Sequence, residues 1–467
     1  MKIFKIIAAR WNGEGGHREM LILAFPLILS TGTWSIQHFV DRMFLTWYST
    51  EAVAAAMPAG MLSFTILSLF IGTAVYVNTF IAQYYGAERY GRIGPVLWQG
   101  IYVAIFGGLL HLILIPYAQD IFSIVGHDPA VQKLEVIYFQ TLCLGAAPTI
   151  ASSAMSGFFS GRGRPWVVMW ANFLSTALNL VVDYSLIFGN WGFPELGIKG
   201  AAIGTVLSSC FLFLFYFLLF CSRSYNKLYR TLRGWPFDIN LFTRLLRFGF
   251  PNGVQFFLDI AGFSIFILLV GRLGTVQLVA TTIAFNINTL AFMPMLGCGI
   301  AVSILVGQYI GKEKPHVAER SIYSGFHITF IYMLCVAITY VVIPDIYIAP
   351  FASKADPVDF MPVRKVTLIL LRFVALYSLF DTMNIIFSSA IKGAGDTRYV
   401  MNVLIIISAF VLVIPSFIAL ALLDGGIYTA WSIASIYAIL LGLAFMFRFL
   451  GGKWKSMRVI EDQKIDQ

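Results

Sequence analysis

Long stretches of this chain carry no charge, and that limits the folds open to it more than any other feature. No Asp, Glu, Lys or Arg occurs from Ala52 to Ala87, from Ile93 to Gln119, from Val136 to Gly161 or from Leu273 to Gly311. Crossing the hydrocarbon of a bilayer takes about 20 apolar residues. The backbone must satisfy its own hydrogen bonds there, so runs of this kind form α-helices. Several runs exceed that length, so some helices are expected to bend or to extend past the bilayer. Over the whole chain only 12% of residues are charged, against about 25% in a soluble domain. A string of soluble domains is thereby excluded.

Polar and Gly/Pro breaks divide the chain into twelve expected spans: 20–48, 53–85, 96–118, 134–160, 165–189, 198–221, 242–270, 276–310, 318–344, 366–391, 398–422 and 425–448. The expected fold class is an all-α membrane protein. An even number of spans puts both termini on one side. Of the 32 Lys and Arg residues, 24 fall on that side, and the positive-inside rule makes it cytoplasmic. The protein is thus expected to be a multi-pass protein of the plasma (inner) membrane. Its net charge of +9 reflects this topology, and no nucleic-acid partner is expected. Met1 to Gly16 is polar and basic with no cleavage site after an apolar stretch, so no cleavable leader is expected.

The chain also repeats itself. Shifted by 225 residues, Phe25-Pro26 falls on Phe250-Pro251 and Gly72 on Gly297. In the same register Gln83-Tyr84-x-Gly86-x-Glu88 falls on Gln308-Tyr309-x-Gly311-x-Glu313. A second register, offset by 232, lays Gly161-x-Gly163 on Gly393-x-Gly395. Six spans per repeat means that both halves start on the same side, so the repeats are parallel. The expected division is an amino-terminal lobe over 1–221, a basic linker over 222–241, a carboxy-terminal lobe over 242–450 and a tail over 451–467. Transporters built from such halves hold substrate near mid-membrane and rock about it. Pro26 and Pro251 open the two halves at matching places and are candidate helix bends.

Four of the 23 acidic residues fall well inside expected spans, away from their ends: Asp41, Asp183, Asp259 and Asp381. The others lie in or near loops. A buried carboxylate costs several kcal/mol unless it is protonated, paired or bound to a cation. Hydrogen bonding between helices is the plain explanation; ion coupling is the functional one. The repeat separates them. Asp41 aligns with Phe266, Asp259 with Trp34, Asp183 with Pro415 and Asp381 with Thr149. The scaffold is duplicated and the acids are not, which favours a chemical role. Lys392, Asp396 and Arg398 are read as a cytoplasmic loop held by local pairing. His38, His111 and His327 are scattered without ligand spacing, so no metal centre is expected.

These residues resemble the multidrug and toxic compound extrusion (MATE) family over nearly the whole chain. The family's first helix carries a proline and, fifteen residues on, an aspartate after valine, here Pro26 and Val40-Asp41. Its fifth helix carries N-x-x-x-D, here Asn179 and Asp183, on one helical face. A threonine after G-A-A in the sixth helix matches Thr205 after Gly200-Ala201-Ala202. The NorM-like branch adds an acid eight residues after the seventh-helix proline, here Pro251 and Asp259, where Glu is usual. It also has an Asp in the tenth helix, here Asp381, ahead of Gly393-Ala394-Gly395-Asp396-Thr397-Arg398. Gln37 departs from the family's usual Tyr.

The resemblance implies a MATE/MOP-type fold, no cofactor, and antiport of cationic or amphiphilic organic compounds against inward H⁺ or Na⁺. It assigns cation coupling to Asp41, Asn179, Asp183, Thr205, Asp259 and Asp381, with Na⁺ as a candidate at Asp41, Asn179 and Asp183. Trp34, Gln37, Trp170 and Phe173 become candidates for the substrate cavity, the aromatics by stacking on flat cations. Membrane lipid is the expected surrounding, and the protein is expected to act as a monomer. A lipid-linked saccharide flippase would line its cavity with Arg and Lys, yet only Arg42 and Arg372 lie near mid-span. A membrane enzyme would need clustered His, Glu or Asp at one interface, such as H-E-x-x-H, which is absent from the sequence.

Overall fold

The computed structural model describes residues 11–125, 127–352 and 357–461. Lys2, Lys5, Arg10, Lys354 and Lys464, counted above for orientation, lie outside these ranges. The described residues are mostly helical, with no strand among them. Eleven helices are long and apolar enough to cross a membrane, and one bent pair supplies a twelfth span. In chain order they are α1 (His17–Tyr48), α2 (Thr50–Gly86), α3 (Tyr90–Leu114), α4 (Pro129–Leu144 with Ala146–Ser160), α5 (Pro165–Phe188) and α6 (Ile198–Phe220). The second half gives α7 (Ile239–Gly271), α8 (Thr275–Gly311), α9 (Pro315–Val342), α10 (Phe360–Ala394), α11 (Thr397–Leu422) and α12 (Ile427–Leu450). All twelve expected spans are present, and the protein is a multi-pass membrane protein.

Loop positions hold three short helices that hydropathy did not reveal: Ala118–Val125, Arg223–Tyr229 and Pro344–Ala352. The break in α4 bends it by 46°. Pro148 has no N–H to give the Leu144 carbonyl, so the ladder is interrupted there. Gly145 at the break also lets α6 approach closely, since a Cβ there would stand 2.8 Å from Val206 Cγ2. By contrast α1 and α7 run through Pro26 and Pro251 as continuous helices.

The chain forms two compact units. Among the described residues, one contains those from 11 to 28 and from 258 to 458; the other contains those from 29 to 257 and from 459 to 461. They are called here the carboxy unit and the amino unit. The opening of each repeat's first helix therefore belongs with the other repeat. In the amino unit, Gly72 of α2 meets Gly253 of α7, where an added Cβ would lie 2.7 Å from the Gly253 Cα. Asn252 Nδ2 donates to the Gly72 carbonyl at 2.7 Å. In the carboxy unit, Gly297 of α8 meets Ile28 of α1, where the same Cβ would lie 2.7 Å from the Ile28 N. Gly297 and Ile28 are the 225-residue equivalents of Gly72 and Gly253.

Other landmarks repeat in three dimensions. Glu88 and Glu313 both adopt left-handed backbone, with φ 59° and 58°, and Gly163 and Gly395 share positive φ. Tyr84 OH donates to Glu461 Oε2 at 2.7 Å in the amino unit, and Tyr309 OH donates to Glu19 at 2.8 Å in the carboxy unit. Each repeat thus pins a carboxylate from near one chain end. The expected local pairing around residues 392–398 is corrected by the structure. Lys392 sits in the last turn of α10, and Asp396 accepts from Arg448 Nε of α12 at 2.8 Å. Gly395, just before it, turns the chain with a φ of 118°, and the Asp396 carboxylate reaches Arg448 of α12.

Candidate functional site

In the amino unit the buried acids converge. Asp41 lies seven residues before the end of α1 and Asp183 five before the end of α5. Asp183 and Asn179 are fully buried and Asp41 is 8% exposed. The two carboxyl groups are in hydrogen-bond contact. Asn179 Nδ2 donates to Asp183 Oδ2 at 3.3 Å, as the i, i+4 spacing on one face allows. The Oδ1 atoms of Asp41, Asn179 and Asp183 have no hydrogen-bond partner among the described residues. Three acceptor oxygens on neighbouring residues therefore keep unused capacity, which a proton or a small cation can take up. Thr205 donates its hydroxyl to Ala201 O at 3.1 Å, within α6. Its neighbour Gly204 leaves the space that Asp183 fills, since a Cβ at 204 would overlap Asp183 Oδ1.

Tyr138 of α4 belongs to this site and was not singled out in the sequence. It lies within electrostatic reach of both Asp41 and Asp183. It packs with Leu134 against Leu45, Ile187 and Ala201, one helical turn from Asp41, Asp183 and Thr205. One of 21 tyrosines gives no local signal of such a position.

The carboxy unit holds the other two acids. Asp381 of α10 accepts from Asn384 Nδ2 at 2.9 Å, a partner visible at i, i+3 spacing. Tyr377, one turn before it, is within its field and accepts from Asn288 Nδ2 of α8 at 3.3 Å. Asp259 of α7 interacts electrostatically with Lys392 and with Tyr437 of α12, and Tyr437 also senses Asp381. Asp259 is exposed at the surface, while Asp381 is partly buried. Both lobes set Asn and Tyr beside their acids; this one differs in that Lys392 interacts with Asp259, whereas in the amino unit two carboxyl groups meet each other.

The cavity candidates fall in two groups. Trp34 of α1 stands edge-on to His38, with ring centroids 4.5 Å apart, and tilts against Phe64 at 5.7 Å. Gln37 is half-buried on the same helix. Trp170 and Phe173 form an edge-to-face pair at 5.9 Å. They are 55% and 52% exposed, whereas Asn179 and Asp183 on the same helix are fully buried. The helical period puts Trp170 on the far side of α5 from Asp183. Pro26 and Pro251 each lie inside their helices, near the points where α1 and α7 pass from one compact unit to the other.

Known proteins place this architecture. A family model described as MatE matches residues 26–185 and 251–418. The "Probable multidrug resistance protein NorM" of Thermotoga maritima is 25% identical over 456 residues, covering 97% of this chain and 96% of its own. A protein of the same name from Bradyrhizobium diazoefficiens is 28% identical over 385 residues, covering 81% of each chain. Among solved structures, an outward-facing multidrug resistance MATE family transporter of the MOP superfamily superposes with a TM-score of 0.85 at 19% identity, covering 96% of this chain and 98% of that one. A MOP superfamily transporter from Pyrococcus furiosus, described as having reverse polarity in its binding pocket, superposes with a TM-score of 0.82 at 18% identity, over 96% and 98% of the chains. With the family model covering both repeats and the fold shared end to end, the chain belongs to the MatE (MATE) family of transporters.

Proposed function

We infer that this protein is a secondary active multidrug exporter, moving cationic or amphiphilic organic compounds outward against an inward ion gradient. The family and the NorM-named relatives support the efflux activity. Those relatives are transporters and not enzymes, and nothing in them calls for a cofactor. Neither the saccharide-flippase nor the membrane-enzyme reading gains support.

The observation that carries the coupling mechanism is the contact between Asp41 and Asp183, buried together beside Asn179. Two carboxylates in contact, away from water, do not both stay ionised without a cation between them. One shared proton satisfies the pair with no further ligands, so the proton is the favoured coupling ion. A Na⁺ ion would instead draw on the free oxygens of Asp41, Asn179 and Asp183 and on the Thr205 hydroxyl. Loading the pair removes negative charge and releases a bound organic cation; unloading restores it. Asp259 and Asp381 supply acidic surface in the other lobe. Trp34, with His38 and Phe64, offers ring faces for a flat cation. In this reading the protein works as a monomer in the inner membrane with both termini cytoplasmic.

The test is ethidium efflux from liposomes holding purified protein, driven by a pH gradient alone and then by a Na⁺ gradient alone. Acceleration by the pH gradient alone, abolished in D41N and D183N, supports the proton. Acceleration by Na⁺ alone moves the site to the metal ion. Wild-type efflux in both variants would remove the pair from the mechanism.

A further inference from the structure

A third carboxylate lies in the same layer as Asp41 and Asp183, and nothing above uses it. Glu135 lies six residues into α4, although the sequence puts it at the very start of the expected span, next to a loop. The structure buries it completely. Its Oε1 meets His127 Nδ1 at 2.7 Å, while Oε2 is buried and has no partner among the described residues. The His127 side chain is 40% exposed, so the pair joins solvent to the interior. A fully buried carboxylate with one oxygen unused is costly to keep and calls for a role.

Tyr138 lies three residues on along the same helix, the spacing at which side chains are neighbours. Leu134 and Tyr138, on either side of Glu135, pack against the helix ends that carry Asp41, Asp183 and Thr205. Counted from those helix ends at about 1.5 Å per residue, Glu135, Asp41 and Asp183 all lie roughly 7–11 Å deep. The ends concerned are all on the face opposite the chain termini. The other charged residues near this face are exposed: Arg42 of α1, which acts electrostatically on Asp41 and Tyr138, Glu51 of α2, Asp120 of the short helix, Asp128 just before α4, Lys133 of α4, Glu195 of the α5–α6 loop and Lys199 of α6. Asp128 is engaged in capping through Ala130 N at 2.9 Å. His111 of α3 is held within its own helix, at 2.8 Å from Gly107 O.

We propose that His127 and Glu135 form a proton entry path from the outer face to the Asp41–Asp183 pair, with Tyr138 as the last link. His127 takes a proton from outer water and passes it across the 2.7 Å contact to Glu135. Glu135 gives a proton toward the Tyr138 hydroxyl, which gives its own to Asp183, so neither Glu135 nor Tyr138 keeps a net charge. His127 and Glu135 then act on the rate of loading, not on drug recognition. The proposal rests on the proton reading above.

The experiment uses full-length protein in liposomes and ethidium as the probe, with two readouts. The first is uptake driven by a pH gradient. The second is ethidium–ethidium exchange at equal pH, which moves no net proton. E135Q is expected to slow the driven rate tenfold or more and to leave exchange at the wild-type rate, with partial recovery in E135D. H127A is expected to slow the driven rate several-fold. Because His127 is surface-accessible, H127A tests the path even if E135Q does not fold. A wild-type driven rate in H127A overturns the path and leaves proton coupling standing. Equal loss of exchange and driven transport in E135Q makes Glu135 structural and also overturns it. Coupling of the wild type to Na⁺ alone overturns both the path and the reading beneath it.

Discussion

At the scale of single residues, the amino-unit site depends on one absent side chain as much as on the acids. Gly204 makes room for Asp183 Oδ1, so G204A is expected to displace the carboxylate without removing it. Transport should fall tenfold or more, with an unchanged elution profile and helicity; near-normal efflux from liposomes would show that the pair tolerates the shift. N179A removes the amide that donates to Asp183. Its expected effect is smaller, a several-fold loss read as a changed response to ion concentration. Much of this was legible in the sequence. Asp41, Asn179 and Asp183 stand out as polar residues in apolar runs, and the i, i+4 spacing predicts that the latter two share a face. Tyr138 was not legible, because a tyrosine in a span raises no alarm until its neighbours are known. Glu135 was missed for a different reason: distance from a loop along the sequence says nothing about whether other helices cover that end.

At the scale of helices, hydropathy located every span because each must bury about the same length of backbone in hydrocarbon. It could not locate what happens within one. The bend in α4 follows from Pro148 and Gly145, and its angle depends on how α6 packs against it. The close approach of Gly297 to Ile28 gives a direct test. In G297V the new branched side chain would meet the α1 backbone, where an alanine Cβ is already 2.7 Å from the Ile28 N. Overpacking of this kind costs about 1–3 kcal/mol, and the melting temperature in detergent should fall by several degrees. G72V is expected to behave alike through Gly253, since the two contacts are copies. A thermal melt in which only one variant is destabilised would show that the repeats do not use the contact equally.

For the whole molecule, the tail is part of the structure. Glu461 accepts from Tyr84 OH at 2.7 Å and pairs with Arg92 and Arg244, each at 3.4 Å. Val459 N donates to Gln83 Oε1 at 2.8 Å. Hydrogen bonds to charged groups contribute about 1.5–3 kcal/mol each when partly buried. Ending the chain after Arg458 should therefore lower the melting temperature measurably and raise protease sensitivity near Tyr84, with E461Q giving part of the effect. An unaltered melt in the truncated chain would show the tail to be dispensable.

The exchange of helix openings between units also sets a timetable for synthesis. Residues 17–28 are made first, yet the unit they complete begins its remaining sequence only at Leu258. The amino unit, in turn, receives residues 459–461 only after the whole sequence of the carboxy unit. A ribosome inserting helices in order therefore finishes neither unit early: the opening of α1 waits for the sequence from Leu258 onward, and the amino unit waits for residues 459–461. Expression of either half alone is a poor route to a folded lobe, because each would lack the piece that the other half carries.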